Sequence, residues 1–328
     1  MLGLRRGTVT AVRESQAELL RLEVDGIPCL AYPRLTGPVE MGDDVVVNQQ
    51  ARLLGLGSGG FDVLAVNLTR GLGLGAAAGA HVMTSPYTPL QAAARFAEED
   101  DPLAGDLAGM PVVCSSLHSQ LAPACAGLGP GVRVAFVQLG GGALPVSLSD
   151  SVRALRAAGV LHAAVAVAPC HDGDVQCVTA ASALAWSRAA GFDAVVCGIG
   201  PGIVGTGSSL GHGGVAAAEA ANAAAALGGR PVVAARVSFG DPRERHRGLS
   251  HHTRAALRLA LAPVALAWPA GLDAPPGLAT VDVDVTGWEQ VCAGLPLDHM
   301  GRGVEADPWF FAAAFAAGRL ARRLLDRA

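Results

Sequence analysis

The run Asp241-Pro242-Arg243-Glu244-Arg245-His246-Arg247-Gly248-Leu249-Ser250-His251-His252-Thr253 concentrates cations, imidazoles and a carboxylate in thirteen residues. Ser250 is the natural N-cap of a helix beginning here, and the donor-rich first turn suits an anion. Arg243 and Arg245 neutralise such a ligand, or pair with Asp241 and Glu244 at the surface. His246, with His251 or His252, offers acid, base or metal-ligating imidazoles, and Asp241 a base or a cation ligand. Adjacent histidines on a helix point apart, because residues three or four apart share a face; this counts against a three-histidine zinc site.

Four other clusters carry polar side chains. Cys170-His171-Asp172-Gly173-Asp174 offers a thiol, an imidazole and two carboxylates. Asp174 is a base or metal ligand there, or simply a helix N-cap. Ser115, Ser116, His118 and Ser119 open another segment, where His118 contacts ligand or caps a helix. Gly140-Gly141-Gly142 forms a third cluster, with Gly141 and Gly142 as ligand contacts. The fourth is the glycine-rich stretch from Gly198 to Gly214. Its Gly200, Gly202, Gly205, Thr206, Gly207 and Ser208, followed by Ser209 and His212, can turn backbone N–H groups inward as a nest for phosphate or carboxylate. It matches neither the P-loop nor a GxGxxG followed by an acidic residue. The plainer reading is that the glycines let a helix approach a sheet. Nucleophilic catalysis has less to stand on: there is no GxSxG, and Cys170 beside His171 is only sequence adjacency.

Each of these five clusters directly follows an apolar run. MPVVC, VRVAFVQL, HAAVAVAP, AVVCGI, PVVAARV and PVALAW alternate with helical segments centred near Ala122, Leu155, Ala183, Ala220 and Leu257. Buried strands alternating with helices predict a mostly parallel, doubly wound α/β sheet, whose ligands bind outside the carboxyl ends of the strands. ATVDVDV reads as an edge strand. Residues 1–68 read as five short strands forming a small all-β barrel of the SH3 or OB type, with Asp25-Gly26 as a hairpin turn. A glycine-rich linker follows at 69–80, and residues 81–328 form the α/β domain. Tyr87 to Glu99 reads as a helix. The chain ends in an amphipathic helix capped by Asp307 and Pro308, with Trp309, Phe310, Phe311 and Phe315 as core or dimer contacts.

Composition narrows the function. Half of the 328 residues are apolar (51%) and 16% are charged, so a packed core is expected. All 24 basic residues are arginine, and the formal net charge of −4 argues against a dedicated nucleic-acid binder. No positive-then-apolar leader opens the chain, which predicts a soluble cytoplasmic protein with no membrane partner. The seven cysteines form no CxxC pair or disulfide framework.

Gly141-Gly142-Ala143-Leu144-Pro145, Gly173-Asp174, Gly200-Pro201-Gly202-Ile203-Val204-Gly205-Thr206-Gly207 and above all Arg245-His246-Arg247-Gly248-Leu249-Ser250-His251-His252-Thr253 resemble domain-of-unknown-function family 3866, a bacterial family. The resemblance covers essentially the whole chain. At Cys170-His171 the chain departs from the glycine-like pair the family leads one to expect, which weakens a role for those side chains. The resemblance implies the shared architecture and brings no reaction or substrate.

The expected function is an enzyme acting on a small anionic or phosphorylated metabolite, with Asp174, Asp241, His246 and His251 as catalytic groups. A divalent cation is a candidate cofactor, with Asp174, His246 and His252 as its ligands. A non-catalytic metabolite sensor or assembly scaffold, and a metal-dependent hydrolase, are the alternatives. A homo-oligomer is expected.

Overall fold

The computed structural model describes residues 2–16, 18–55, 60–75 and 78–327. Of the expected elements, Ala17 in the second strand, residues 76 and 77 of the linker and Ala328 of the last helix lie outside the described residues. The chain divides into two compact units, Met1–Arg95 and Phe96–Ala328, so the division falls past the glycine-rich stretch where composition places it.

In the first unit, β1 (Leu4–Ser15), β2 (Leu20–Val24), β3 (Ile27–Ala31), β4 (Asp44–Asn48) and β5 (Asp62–Asn67) close a barrel in the order β1-β2-β3-β5-β4, with short helices α1 (Pro33–Thr36) and α2 (Gln50–Leu53) between strands. Alternating side chains, among them Leu22, Val24, Val45 and Val47, fill the interior. Asp25 and Gly26 both have positive φ (53° and 76°), as a two-residue hairpin turn requires. The helix expected from Tyr87 to Glu99 does not form. β6 (Val82–Thr84) pairs instead with β7 (Ala92–Ala94), and only a single 3₁₀ turn follows at Ala97–Glu99. The strand ladder claims the alanines, overriding their helical preference.

The second unit is built on eight parallel strands: β8 (Pro111–Cys114), β9 (Val134–Leu139), β10 (Ala163–Val167), β11 (Val175–Cys177), β12 (Ala194–Ile199), β13 (Arg230–Ala234), β16 (Ala265–Pro269) and β17 (Val281–Val283). The short strands β14 (Val237–Ser238) and β15 (Gly248–Leu249) form a separate antiparallel pair. The order is β11-β10-β9-β12-β8-β13-β16-β17, and ATVDVDV does supply an edge strand. β11, the opposite edge, lies hidden in the polar segment after Cys170, too short to show a pattern.

Successive residues alternate between the two faces. Val113, Phe136 and Val196 meet the layer of α3 (Leu121–Leu128), α4 (Asp150–Ala157), α8 (Trp288–Val291) and α9 (Pro308–Leu325), while Cys114, Val137 and Cys197 meet α5 (Ala180–Ala189) and α6 (Ala216–Ala226). Ala256 of α7 (His251–Leu259) joins the second layer. β8 and β12 are neighbours, yet α3 and α6 leave them on opposite faces. The crevice between their carboxyl ends is the switch point at which open parallel sheets bind ligands.

Phe310, Phe311 and Phe315 are fully buried in the core, which excludes them as dimer contacts. Each contributes about 1.5–3 kcal/mol by leaving water. Pro308 opens α9, but the side chain of Asp307 does not cap it, because Ser238 and the Phe239 N–H occupy the carboxylate. α9 crosses α3 at Gly127 and Gly318, and a Cβ on Gly318 would lie 2.0 Å from the Ala124 carbonyl oxygen.

His118 neither caps a helix nor faces solvent with a spare nitrogen. Its Nδ1 bonds the Ile199 carbonyl at 3.0 Å and its Nε2 meets Ser149 Oγ at 2.6 Å, tying together the loops after β8, β9 and β12. It is the first residue of its 3₁₀ turn, whose N-cap is Leu117, and the Ser116 and Leu117 N–H groups are taken by Gln120 Oε1.

Two predictions follow from this packing. G318A forces α3 and α9 apart and destabilises the protein by about 1–3 kcal/mol, read by denaturant unfolding. Burial lowers the His118 pKa from 6.5 to about 4. Above pH 6.5 both states hold the ring neutral, whereas between 6.5 and 4 only the unfolded chain takes up the proton, so stability falls with pH across that window and levels off below it. H118Q removes about one proton from that dependence; an unchanged slope of unfolding free energy against pH would contradict it.

Candidate functional site

The site grows from the end of β13. Arg236 emerges there with 1% of its surface exposed, and a buried guanidinium needs partners. It donates to Asp241 Oδ2 at 3.2 Å and to His252 Nδ1 at 3.0 Å. The hairpin of β14 and β15 turns the chain back, so that the Ser250 N–H reaches the Arg236 carbonyl and Thr253 Oγ1 accepts the Arg236 N–H. Ser250 then caps α7 by accepting from the His252 N–H, and it also meets His246 Nδ1 at 2.8 Å.

Asp241 is the centre of charge. Arg236, Arg243 and Arg302 all reach its Oδ2, at 3.2, 2.8 and 3.4 Å. Burial pushes its carboxyl up, but hydrogen bonds and charge from Arg243, joined by the charge of Arg236, outweigh it and hold the group well below the usual carboxylate range. Asp241 is therefore no general base, which needs a pKa near the working pH. Burial lowers Arg236 to about 10 despite the opposing pull of Asp241, so it stays charged at neutral pH. Arg302 also reaches Asp307. Three guanidiniums thus face two carboxylates, an excess of one positive charge.

Four imidazoles pack beside this cluster. His212 stacks on His252 with centroids 3.9 Å apart and planes 17° from parallel. His251 lies 5.0 Å from His212 and 4.8 Å from His246, and His246 lies 4.9 Å from His252. Burial, then the nearby arginines, lowers His246 to about 3 and His252 to about 2. Burial also lowers His212 and His251. His299 closes the group: it stacks on Phe310, bonds Ser119 Oγ through Nδ1, and is lowered to about 3 by burial and then by Arg236. Burial thus favours the neutral form of all five rings.

Several buried atoms here have no hydrogen-bond partner among the described residues: Arg236 Nε, His212 Nδ1, His251 Nε2 and His299 Nε2. Buried polar atoms are ordinarily paired, so this aggregate of orphans singles out the candidate site.

The glycine stretch serves the site differently from a phosphate nest. Gly205 bridges to His212, and the N–H groups of Val204, Thr206 and Gly213 are all donated to carbonyls within the protein. Thr206 and Ser208 bond each other and Gly211 at an exposed tip, with Gly207 between them. The loop folds as its own hairpin and delivers His212. Gly202 sits exposed at φ 71°. Gly141 and Gly142 pack onto backbone: a Cβ on Gly142 would meet the Gly200 oxygen at 2.3 Å, one on Gly200 the Ala143 oxygen at 2.1 Å, and one on Gly213 the Gly141 oxygen at 1.9 Å. These glycines lock the loops after β9 and β12 together.

A family profile described as Protein of unknown function (DUF3866) matches residues 28–318 of the 328. The chain belongs to this family. No curated protein matches it. In this DUF3866 member the signature Arg245–Thr253 builds the histidine face, with Arg245 itself exposed at the rim. Among the described residues no helix is long and apolar enough to cross a membrane.

Asp174 is displaced from the site. It pairs with Arg156 and accepts the Ala164 N–H at the start of β10, at the amino end of the sheet, because the segment after β10 runs back before β11 begins. Nor does it cap a helix, since Thr179 caps α5. Burial raises Cys170 to about 11, so it is no nucleophile at neutral pH. His251 and His252, expected to point apart, lie edge to face with centroids 4.5 Å apart, and both meet His212, which arrives from another loop. Arg236, His299 and Arg302 escaped the sequence reading as site residues, and His212 was named there only as a member of the glycine-loop cluster, without a role of its own. Only His212 carried a signal, as the lone imidazole after the glycine loop.

The two aspartates separate by experiment. D241N leaves three guanidiniums facing one another and costs about 3–5 kcal/mol. D174N, at an exposed pair, costs about 1 kcal/mol or less, so chemical denaturation should rank them widely apart.

Proposed function

We propose that this protein is an enzyme that binds a small anionic metabolite at the carboxyl edge of its parallel sheet, against Arg236, Arg302 and the histidine face. The observation that carries the reading is the group of orphaned buried atoms on Arg236, His212, His251 and His299 beside an excess positive charge. A buried guanidinium N–H without an acceptor is a charge-assisted donor for carboxylate or phosphate. Neutral imidazoles next to it supply lone pairs that accept protons or bind a metal. The switch-point location supports the same conclusion.

The test is a thermal-shift screen of the full chain in EDTA against inorganic phosphate, pyrophosphate, nucleotides and small carboxylates. A ligand at a hundred times its Kd stabilises the fold by about 2.7 kcal/mol. One anion class should give that shift, and R302M, its fold checked by circular dichroism, should lose it. Absence of a shift with every anion overturns the anion site. A shift without turnover of the bound compound overturns the catalytic reading in favour of a sensor.

A further inference from the structure

Three of the histidines can do more than line an anion site. His212, His251 and His252 each present a ring nitrogen, with no two of these atoms more than 4.8 Å apart. The His212 ring is oriented as a metal ligand is: Nε2–H donates to the Ser209 carbonyl at 3.0 Å, which fixes the tautomer and leaves the Nδ1 lone pair directed inward and without a partner. His212 is 95% buried, so that lone pair is lost to solvent. Nε2 of His251 is likewise buried and unpartnered. Nδ1 of His252 accepts from Arg236, and it lies beside Nδ1 of His212: a Cβ placed on Gly214 would sit 3.1 Å from one and 3.2 Å from the other. Glycine at 214 keeps that small cradle open.

We propose that His212 Nδ1 and His251 Nε2 bind a zinc-class divalent ion, with His252 Nδ1 as third ligand when Arg236 releases it. The donor set is all imidazole, which suits zinc, cobalt or nickel and excludes hard-cation sites built from carboxylate oxygens. The buried carboxylate of Asp241 is committed to three arginines and leaves the ion to the histidines. Zinc–nitrogen bonds of 2.0–2.1 Å at a tetrahedral angle place ligand atoms roughly 3.4 Å apart, so the rings close by about 1 Å on binding. Three protein ligands leave a fourth position open, the arrangement of catalytic rather than structural zinc. The proposal rests on the anion-binding reading for its place in the fold: Arg236, once released from His252, can hold a substrate oxygen beside the ion. Such an ion would polarise that oxygen or activate a water.

The experiment uses the tag-free full chain, stripped with chelator and titrated with Zn²⁺ by calorimetry, with Co²⁺ absorption as the spectroscopic readout. One ion per chain is expected, with the visible bands of four-coordinate Co²⁺. H212A and H251A should each weaken Zn²⁺ binding by at least the roughly 10–100-fold that loss of an outer-sphere partner costs, while H81A leaves it unchanged. If H212A does not fold, H212Q retains a donor toward Ser209 and lacks the ring nitrogen, and should show the same loss. No stoichiometric binding by the wild type, or unchanged binding in H212Q/H251A, overturns the metal site. The anion screen in EDTA is scored separately: a shift there with no zinc binding removes the metal and keeps the anion site, and zinc binding with no anion shift does the reverse.

Discussion

One buried guanidinium organises the functional end of this molecule. Arg236 leaves β13 in an interior where an unpaired charge is intolerable, and the next seventeen residues fold around satisfying it. Asp241 returns to it within a tight loop, the β14–β15 hairpin brings Ser250 to its carbonyl, and α7 starts where His252 can take a second N–H. Arg243 and Arg302 then converge on the same carboxylate, so a segment with little secondary structure is held by charge. The cost of desolvating these ions is offset only when all partners are in place. That interdependence fixes α7 and therefore its two histidines.

A second constraint is steric. The loops after β9 and β12 approach until their backbones touch at Gly141, Gly142, Gly200 and Gly213, where any side chain would collide with a carbonyl. His118 pins the same loops from the β8 side. Together they hold the crevice between β8 and β12 and set the angle at which the hairpin after β12 presents His212. The glycines are thus architectural, and the chemistry lies in the imidazole they position. His299, stacked on Phe310 at the start of α9, joins the outermost loop to the core.

The barrel and the parallel sheet are legible because they rest on local periodicity. Alternation in LRLEV and DVVVN, and unbroken apolar runs in VAFVQL and AVVCGI, state which faces are buried. Segments too short to have a period were misread. The three residues of β11 and the three of β7 become strands only because a neighbour offers a ladder. Asp174 was placed on the wrong end of the sheet for the same reason: an unrecognised strand reverses the meaning of position.

From the sequence alone come the α/β class, the strands carried by the six apolar runs, the N-cap at Ser250 and the family to which the chain belongs. These depend on neighbours in the chain or on a signature read directly. Tertiary structure decided which side chains meet. His212 packs against both His251 and His252, and Arg302 reaches Asp241 across sixty-one positions. It also decided the electrostatic state of each group: the same aspartate that looks like a base in the sequence is held ionised by three guanidiniums, and histidines of ordinary basicity become neutral by burial. Desolvation and Coulomb interaction act through space, and sequence spacing does not encode the distances on which they depend.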